Sequence, residues 1–178
     1  MTMKELNQIA WDCGFSCIGE LALDKLELRQ EVRDMCLTNS CGQYGKRWSC
    51  PPGCGSRDQL RAQLGTYHRG ILVQTVGQLE DEFDVESMLE TEAAHKENLL
   101  RMRQVLGSHY PRLLTIGAGC CTVCARCTYP EEPCRFPERQ IVSMEAYGML
   151  VLEVCKQSGM GYYYGEDKIA YTSCFLLE

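Results

Sequence analysis

The spacing of hydrophobic residues along the chain predicts a mixture of helices and strands. Helical periodicity, with capping residues, indicates helices at residues 3–13, 57–65, 83–106 and 143–157. Mainly apolar runs indicate strands at residues 15–21, 70–77 and 112–118, with two more near 160–165 and 168–177. No linker or internal repeat separates these elements. The pattern therefore predicts a single compact α+β (mixed α/β) domain over residues 1–178, with a central sheet flanked by helices.

The longest predicted helix, residues 83–106, combines an apolar stripe with many acidic residues. The stripe expected to face the core consists of Val85, Met88, Leu89, Ala93, Leu100 and Leu106. Residues 80–97 contain eight acidic residues and one lysine, whereas the whole chain has a net charge of −6. This local acidity is interpreted as a solvated helix face or as a docking surface for a basic redox partner. It does not suit nucleic acid phosphates, so no nucleic acid partner is expected.

Two residues of the last predicted helix carry structural signals. Ser143 is a suitable N-cap, because its hydroxyl can accept a hydrogen bond from the first turn. Gly148 would cost about 1 kcal/mol relative to alanine inside a helix. Its presence indicates the close approach of a neighbouring backbone or of a cofactor.

The chain contains 13 cysteines, and most of them fall into two dense groups. Their number is odd, and the polar N-terminal sequence is not typical of a secretory leader. Both observations argue against a disulfide framework and favour metal ligation in a reducing compartment, so we expect a cytoplasmic protein. No apolar run approaches the ~20 residues that span a bilayer, so no membrane partner is expected.

The second cysteine group, residues 120–137, contains the most informative motif. Cys121, Cys124, Cys127 and Cys134 follow the pattern C-x2-C-x2-C-x6-C. Thiols at every third residue fit the separate iron corners of a four-iron cluster better than a single tetrahedral zinc ion. Only Cys121 gives the regular spacing, so Cys121 is interpreted as the ligand and Cys120 as a packing or outer thiol.

The first cysteine group, residues 36–54, can close another metal site. Cys36, Cys41, Cys50 and Cys54 are spaced as C-x4-C-x8-C-x3-C. The wider spacings make zinc more plausible here, although a second iron–sulfur cluster remains the preferred interpretation. A further option is that both groups share ligands around one larger cluster.

Four other residues of the two groups are candidate cofactor-binding residues. Lys46, Arg47 and Arg135 can pair with the negative charge of a cluster, and Lys46 and Arg47 can also contact a substrate anion. Trp48 can shield a cluster from water.

The remaining cysteines and the histidines are not expected to bind metal. The cysteines outside the two groups have apolar neighbours and are predicted to be ordinary buried thiols, namely Cys13, Cys17, Cys155 and Cys174. His68, His95 and His109 lie in polar sequence without a partner at ligand spacing, so each is predicted to be a surface residue.

Several motifs occur in a specific order over nearly the whole chain. They are Cys36-x4-Cys41-x2-Tyr44-Gly45-x2-Trp48-x-Cys50-Pro51-Pro52, then Cys121-x2-Cys124-x2-Cys127, Pro133-Cys134-Arg135-x-Pro137, and Ser143-Met144-Glu145-Ala146-Tyr147-Gly148. Together they resemble the predicted metal-binding protein family, domain of unknown function 2284. The resemblance implies metal binding but no particular activity or substrate. By position it implies the ligands Cys36, Cys41, Cys50, Cys54, Cys121, Cys124, Cys127 and Cys134.

A second likeness is confined to residues 10–19. This segment looks like the start of epoxyqueuosine reductase and reductive dehalogenase domains, which pair two four-iron clusters with a corrinoid. The chain is too short to carry the full cobalamin-binding domain of those proteins.

The sequence therefore predicts an iron–sulfur protein with two 4Fe-4S clusters that transfers single electrons to a partner enzyme. The partner could be a corrinoid- or flavin-dependent protein. One alternative is a zinc-stabilised structural or binding module, and another is a small cluster-dependent redox enzyme. The chain lacks a phosphate-binding Walker loop, a nucleophile elbow and a His-Glu-x-x-His motif. An electron-transfer protein is accordingly favoured over a stand-alone enzyme.

Overall fold

A computed structural model describes the whole chain, Met1–Glu178. The six α-helices are α1 (Met3–Asp12), α2 (Gln30–Met35), α3 (Arg57–Leu64), α4 (Val85–Gly107), α5 (Met144–Tyr147) and α6 (Val151–Gln157). The five strands are β1 (Cys17–Glu20), β2 (Arg69–Gln78), β3 (Leu113–Gly117), β4 (Val142–Ser143) and β5 (Lys168–Leu177). None of the six helices combines the length and the apolar character that crossing a bilayer requires.

The strands form one mixed sheet in the order β1-β2-β5-β3-β4. The two long strands β2 and β5 pair antiparallel along their full length, from Arg69 opposite Leu177 to Gln78 opposite Lys168. Strand β3 pairs antiparallel with β5, and the short β4 pairs parallel with β3 at the edge of the sheet. The α+β fold with a central sheet flanked by helices, predicted from the hydrophobic pattern, is confirmed.

Both faces of the sheet are buried, because alternate residues of the central strands enter two different cores. On β5, Cys174 and Leu176 belong to one core, whereas Phe175 and Leu177 belong to the other. The first core contains residues of α3, α5 and α6, and the second contains residues of α1 and α4. The protein thus has three layers, with the sheet in the middle.

Most of the predicted elements are present, with small shifts at their ends. The predicted strand near residues 160–165 is wrong, because that segment is irregular and contains left-handed Gly165 at φ +125°. The tyrosines of this segment were expected to alternate between surface and core, but Tyr162 and Tyr163 are both exposed. Tyr164 instead donates from its hydroxyl to Oε1 of Gln74 at 2.7 Å. Helix α2 was not predicted.

The predicted apolar face of α4 is mostly wrong, although Leu106 is buried as expected. Val85, Leu89 and Leu100 are exposed, whereas the buried residues of the helix are Thr91, His95, Asn98, Leu99, Met102 and Leu106. The helix therefore presents several polar side chains to the sheet. Such burial is tolerated only where the polar groups are hydrogen-bonded.

His95 corrects the prediction that all three histidines lie on the surface. Its ring is completely buried, with Nδ1 2.9 Å from Oγ1 of Thr75 and Nε2 2.7 Å from Oγ of Ser173. Burial, with a smaller contribution from Lys96, lowers the pKa of His95 to about 4. The ring is therefore neutral at pH 7 and acts as a hydrogen-bonding core residue. A polar residue is accommodated here because Thr75 on β2 and Ser173 on β5 place hydroxyl groups against the ring.

Three of the four cysteines outside the dense groups are buried, as predicted: Cys13, Cys155 and Cys174. Cys17 is only half-buried, and its Sγ lies 3.6 Å from the hydroxyl of Tyr164.

The single helix predicted over residues 143–157 is divided into α5 and α6. Ser143 caps α5 as predicted, since its Oγ accepts from the backbone N–H of Ala146 at 3.1 Å. Gly148 ends α5 in the left-handed conformation, at φ +94°. Its carbonyl accepts from the backbone N–H of Arg29 at 2.7 Å. The expected close approach of a neighbouring backbone at this glycine is confirmed.

Gly148→Ala should therefore destabilise the protein strongly. A Cβ at this position would lie 2.6 Å from the carbonyl oxygen of Arg29, and the positive φ would add strain. We expect urea unfolding, followed by circular dichroism, to show a free energy of unfolding lower by more than about 2 kcal/mol. Gly107→Ala is the control: no atom lies within 4 Å of its Cβ, so it should be neutral or stabilise slightly. Equal effects of the two substitutions would contradict this account of Gly148.

Candidate metal centre

The two cysteine groups lie in loops that the surrounding elements bring together. The first loop runs from the end of α2, through a short 3-10 turn at Cys36–Thr38, to Ser56, which caps α3. The second loop leaves the sheet at the end of β3 and returns at β4. Because β3 and β4 are paired, with Gly117 opposite Ser143, the ends of this long loop are held side by side.

One cavity collects thiols from both loops. It has a volume of about 450 Å³ and is lined by Cys36, Cys41, Cys50 and Cys120. Glu92 of α4 and Glu145 of α5 also line it. Three of the four predicted ligands of the first group therefore share this cavity with a cysteine that the sequence analysis interpreted as a packing or outer thiol.

A second, much smaller cavity collects the thiols of the regular motif. It has a volume of about 20 Å³, and its lining includes Cys121, Cys124, Cys127 and Cys134. Arg47, Trp48 and Ser49 of the first loop complete one side of it. The four residues predicted from the spacing thus lie around one small cavity.

Cys54 does not line either of these cavities. It is half-buried and packs against the hydrophobic core formed with α3, α5 and α6. Its Sγ lies 4.0 Å from the carbonyl oxygen of Gly55, which also accepts from NH2 of Arg33 at 2.7 Å. The position of Cys54 therefore differs from that of the other three cysteines of its group.

Two side chains of the first loop bind the backbone of Cys121 in the second loop. Arg47 donates from NH1 to the carbonyl oxygen of Cys121 at 2.9 Å. The backbone N–H of Cys121 donates to Oγ of the buried Ser49 at 3.2 Å. Both polar backbone groups of Cys121 are thus bound by residues that precede it by 74 and 72 positions. These two hydrogen bonds, the loop clamp, fix the two cysteine groups relative to each other.

Further contacts between the loops surround Trp48. Its indole N–H donates to the carbonyl oxygen of Glu132 at 3.0 Å, and its own carbonyl accepts from Nε2 of Gln140 at 2.6 Å. The indole also meets the ring of Tyr129 edge to face, with centroids 4.9 Å apart. Gly53 lies so close that a Cβ there would be 2.8 Å from that tyrosine ring. The aromatic pair therefore covers the junction of the loops.

The four predicted cofactor-binding residues occupy different environments. Arg47 and Trp48 line the smaller cavity, and Arg47 also donates from Nε to Oε1 of Gln43 at 2.6 Å. Lys46 is exposed, and the exposed Arg135 donates from NH1 to the carbonyl oxygen of Arg126 at 3.0 Å. Arg47 and Trp48 are thus placed beside the cysteines, whereas Lys46 and Arg135 do not line either cavity.

The thiols of Cys36, Cys50 and Cys54 in the first loop are protonated at neutral pH. Burial is the main cause that raises the pKa of Cys36 and Cys54, and it raises the pKa of Cys50 to about 11. Among the neighbouring cysteines, Cys120 contributes most to the raised pKa of Cys50. A metal that binds these sulfurs must therefore displace protons.

The donor set fits a thiolate-ligated metal group. All 13 cysteines are free, and each of the two cavities is lined by four of them. Four thiolates can hold either an iron–sulfur cluster or a zinc ion. No three side chains of Cys, His, Asp or Glu lie close enough together in this structure to form a single-ion site.

Comparison with known proteins identifies the family of the chain. The family model described as predicted metal-binding protein, domain of unknown function 2284, matches residues 19–177. The chain belongs to this family. The match includes both cysteine loops of this predicted metal-binding protein and the sheet edge that holds them. No curated protein and no solved structure matches the chain significantly.

Several residues of the candidate centre were not found by sequence reasoning. Ser49, Gln140, Glu92 and Glu145 carry no spacing signal, and each reaches the centre only because distant segments fold together. A polar residue directly beside a cysteine, such as Ser49, was the only local indication available.

Arg47→Met should loosen the loop clamp of this predicted metal-binding protein. The change keeps a long side chain but removes the hydrogen bonds to Cys121 and Gln43, so we expect the free energy of unfolding to fall by about 1–3 kcal/mol. Lys46→Met removes one positive charge from an exposed neighbour and should change stability by less than about 0.5 kcal/mol. Urea unfolding of the two variants compares them directly, and equal losses would argue against the clamp.

Proposed function

We propose that the protein binds two 4Fe-4S clusters through cysteine thiolates and carries single electrons to a partner enzyme. The observation that supports this most is the gathering of eight thiols around two neighbouring cavities, four around each. Four cysteine thiolates are the usual ligand set of such a cluster. When bound, a cluster supplies reversible one-electron chemistry.

The protein's own residues would set the environment of the clusters. Trp48 and Tyr129 cover the junction of the loops and limit the access of water. Arg47 places a positive charge beside the smaller cavity, which would offset the negative charge of four thiolates. The loop clamp would hold the ligands in a fixed arrangement.

The size of the larger cavity supports a second candidate function, that of a small cluster-dependent redox enzyme. Its volume of about 450 Å³ lies in the range of small-molecule pockets, about 300–1,000 Å³. Glu92 and Glu145 provide polar groups in its wall. If this candidate is correct, small-molecule ligands should alter the electron paramagnetic resonance spectrum of the cluster held there. An unchanged spectrum would leave electron transfer as the function.

The acidic surface of α4 supports a basic redox protein as the partner, and we propose a corrinoid- or flavin-dependent enzyme for this role. Phe83 is 78% exposed and Leu89 is 60% exposed, and the exposed carboxylates of Glu86 and Glu90 lie beside them in the chain. Glu92, less than one turn beyond Glu90, lines the larger cavity. A basic partner on this surface would therefore be close to one site. The other interpretation of the acidity, a solvated helix face, predicts no effect of these charges on electron transfer.

Anaerobic purification followed by iron, sulfide and zinc analysis tests the proposed cofactors. We expect about eight iron and eight sulfide ions per chain, absorbance near 400 nm that dithionite bleaches, and one-electron steps in a redox titration. Cys124→Ala should remove about half of the iron, because it takes one ligand from the smaller cavity. Cys17→Ala, outside both cavities, is the control and should keep all of it. A colourless protein with stoichiometric zinc would replace this proposal with a zinc-stabilised module.

Electron transfer to oxidised cytochrome c, a basic one-electron acceptor, tests the docking surface. The rate from the dithionite-reduced protein should fall as salt is raised towards about 1 M, where the Debye length is about 3 Å. The double variant Glu86→Gln/Glu90→Gln should be slower at low salt. The control Glu20→Gln/Glu31→Gln makes the same change of charge on exposed residues of other elements. If both double variants slow the reaction equally, net charge rather than this surface controls it.

A further inference from the structure

Cys120 occupies a position that the cysteine spacing does not reveal. It is the third residue after β3 and lines the same cavity as Cys36, Cys41 and Cys50. Cys54, the fourth cysteine of the first group by spacing, does not line that cavity.

We propose that Cys120, and not Cys54, is the fourth thiolate ligand of the first metal group. The full ligand set of this site is then Cys36, Cys41, Cys50 and Cys120, and the second set is Cys121, Cys124, Cys127 and Cys134. This inference rests on the proposed binding of two metal groups.

The backbone around Cys120 explains how it reaches the first loop. Gly119, the second residue after β3, adopts the left-handed conformation, with φ +66°. A Cβ at Gly119 would lie 2.9 Å from Oε1 of Glu92, so the chain passes tightly against α4. Immediately afterwards, the loop clamp binds both backbone polar groups of Cys121. Cys120 thus lies between the turn at Gly119 and the loop clamp, and it lines the larger cavity.

The surroundings of Cys54 suit a packing role. Its side chain contributes to the hydrophobic core that includes Leu60 and Tyr147, and Arg33 is anchored to the adjacent carbonyl of Gly55. Cys54 does not line the cavity, and it lies two residues before Ser56, the cap of α3. Cys120, by contrast, already lines the cavity together with the other three thiols.

The assignment makes neighbouring residues ligands of two different metal groups. Cys120 would belong to the first site and Cys121 to the second, and consecutive Cα atoms are only about 3.8 Å apart. A single peptide unit would therefore connect the sites. The two groups should be close enough for their unpaired electrons to interact when both are reduced.

Alanine variants of Cys120 and Cys54 test the assignment, with Cys36→Ala as the reference for loss of the first site. After anaerobic purification, Cys120→Ala should lose about half of the iron and sulfide, as Cys36→Ala does, whereas Cys54→Ala should keep the wild-type content. The dithionite-reduced wild type and Cys54→Ala should show an electron paramagnetic resonance spectrum split by magnetic interaction. Cys120→Ala should show the simple spectrum of one cluster. Circular dichroism identifies any variant that fails to fold.

The outcomes separate this assignment from the proposed function. Loss of half of the iron in Cys54→Ala, with full content in Cys120→Ala, would overturn the assignment and leave a two-cluster protein. If the wild type contains zinc instead of iron, the cluster proposal fails. The zinc content of the same variants then tests whether Cys120 or Cys54 is the fourth ligand of the first site. A wild type without any bound metal would overturn both. Should Cys54→Ala not fold, wild-type metal content in Cys120→Ala would still overturn the assignment.

Discussion

The arrangement of the candidate centre depends on the loop clamp at Cys121. Arg47 binds the carbonyl oxygen of this residue and Ser49 binds its N–H, so the backbone has little freedom to shift relative to the first loop. A shift of one loop against the other would leave these backbone groups without hydrogen-bond partners, which costs free energy. The relative position of the loops that keeps both hydrogen bonds is therefore favoured. All eight cysteines that line the two cavities lie on the two loops that the clamp joins. The contacts of Trp48 with Glu132, Gln140 and Tyr129 add to this attachment between the two loops.

The sheet provides the rigid support for the clamp. Strands β3 and β4 are parallel neighbours, and they hold the start and the end of the second loop at one edge of the sheet. The antiparallel pairing of β3 with β5 connects that edge to the most extensively paired strands of the protein. The irregular cysteine loops can therefore do without regular structure of their own, because both are attached to elements that are packed on the core.

Local patterns in the sequence were sufficient for the elements and for the cysteine motifs. The period of apolar residues located β2 and β5 almost to the residue, and Ser143 was recognised as a cap from its residue type. The buried face of α4 was not predictable in this way, because His95 and Asn98 are buried against strand hydroxyl groups that lie far away in the chain.

The candidate centre was predictable only where its residues are close in sequence. The x2 and x6 spacings led to Cys121 through Cys134, which the structure places around one cavity. The hydrogen bonds that hold the adjacent Cys121 span more than 70 residues, and spacing carries no information about such contacts. Adjacent cysteines also look equivalent in a motif, and only the three-dimensional fold shows that Cys120 joins three cysteines of the first group around a cavity that Cys121 does not line.

The adjacency of Cys120 and Cys121 has a consequence for how the protein matures. With these residues in separate sites, filling either site would restrain the backbone that the other site needs. Binding of the first metal group would already order part of the backbone around the second site. The second group would then lose less conformational entropy on binding, so the two groups would bind cooperatively. Partly filled chains would be scarce, and a cell would contain mainly empty and complete protein. Damage to one site would likewise loosen its neighbour, which ties the lifetime of each group to that of the other.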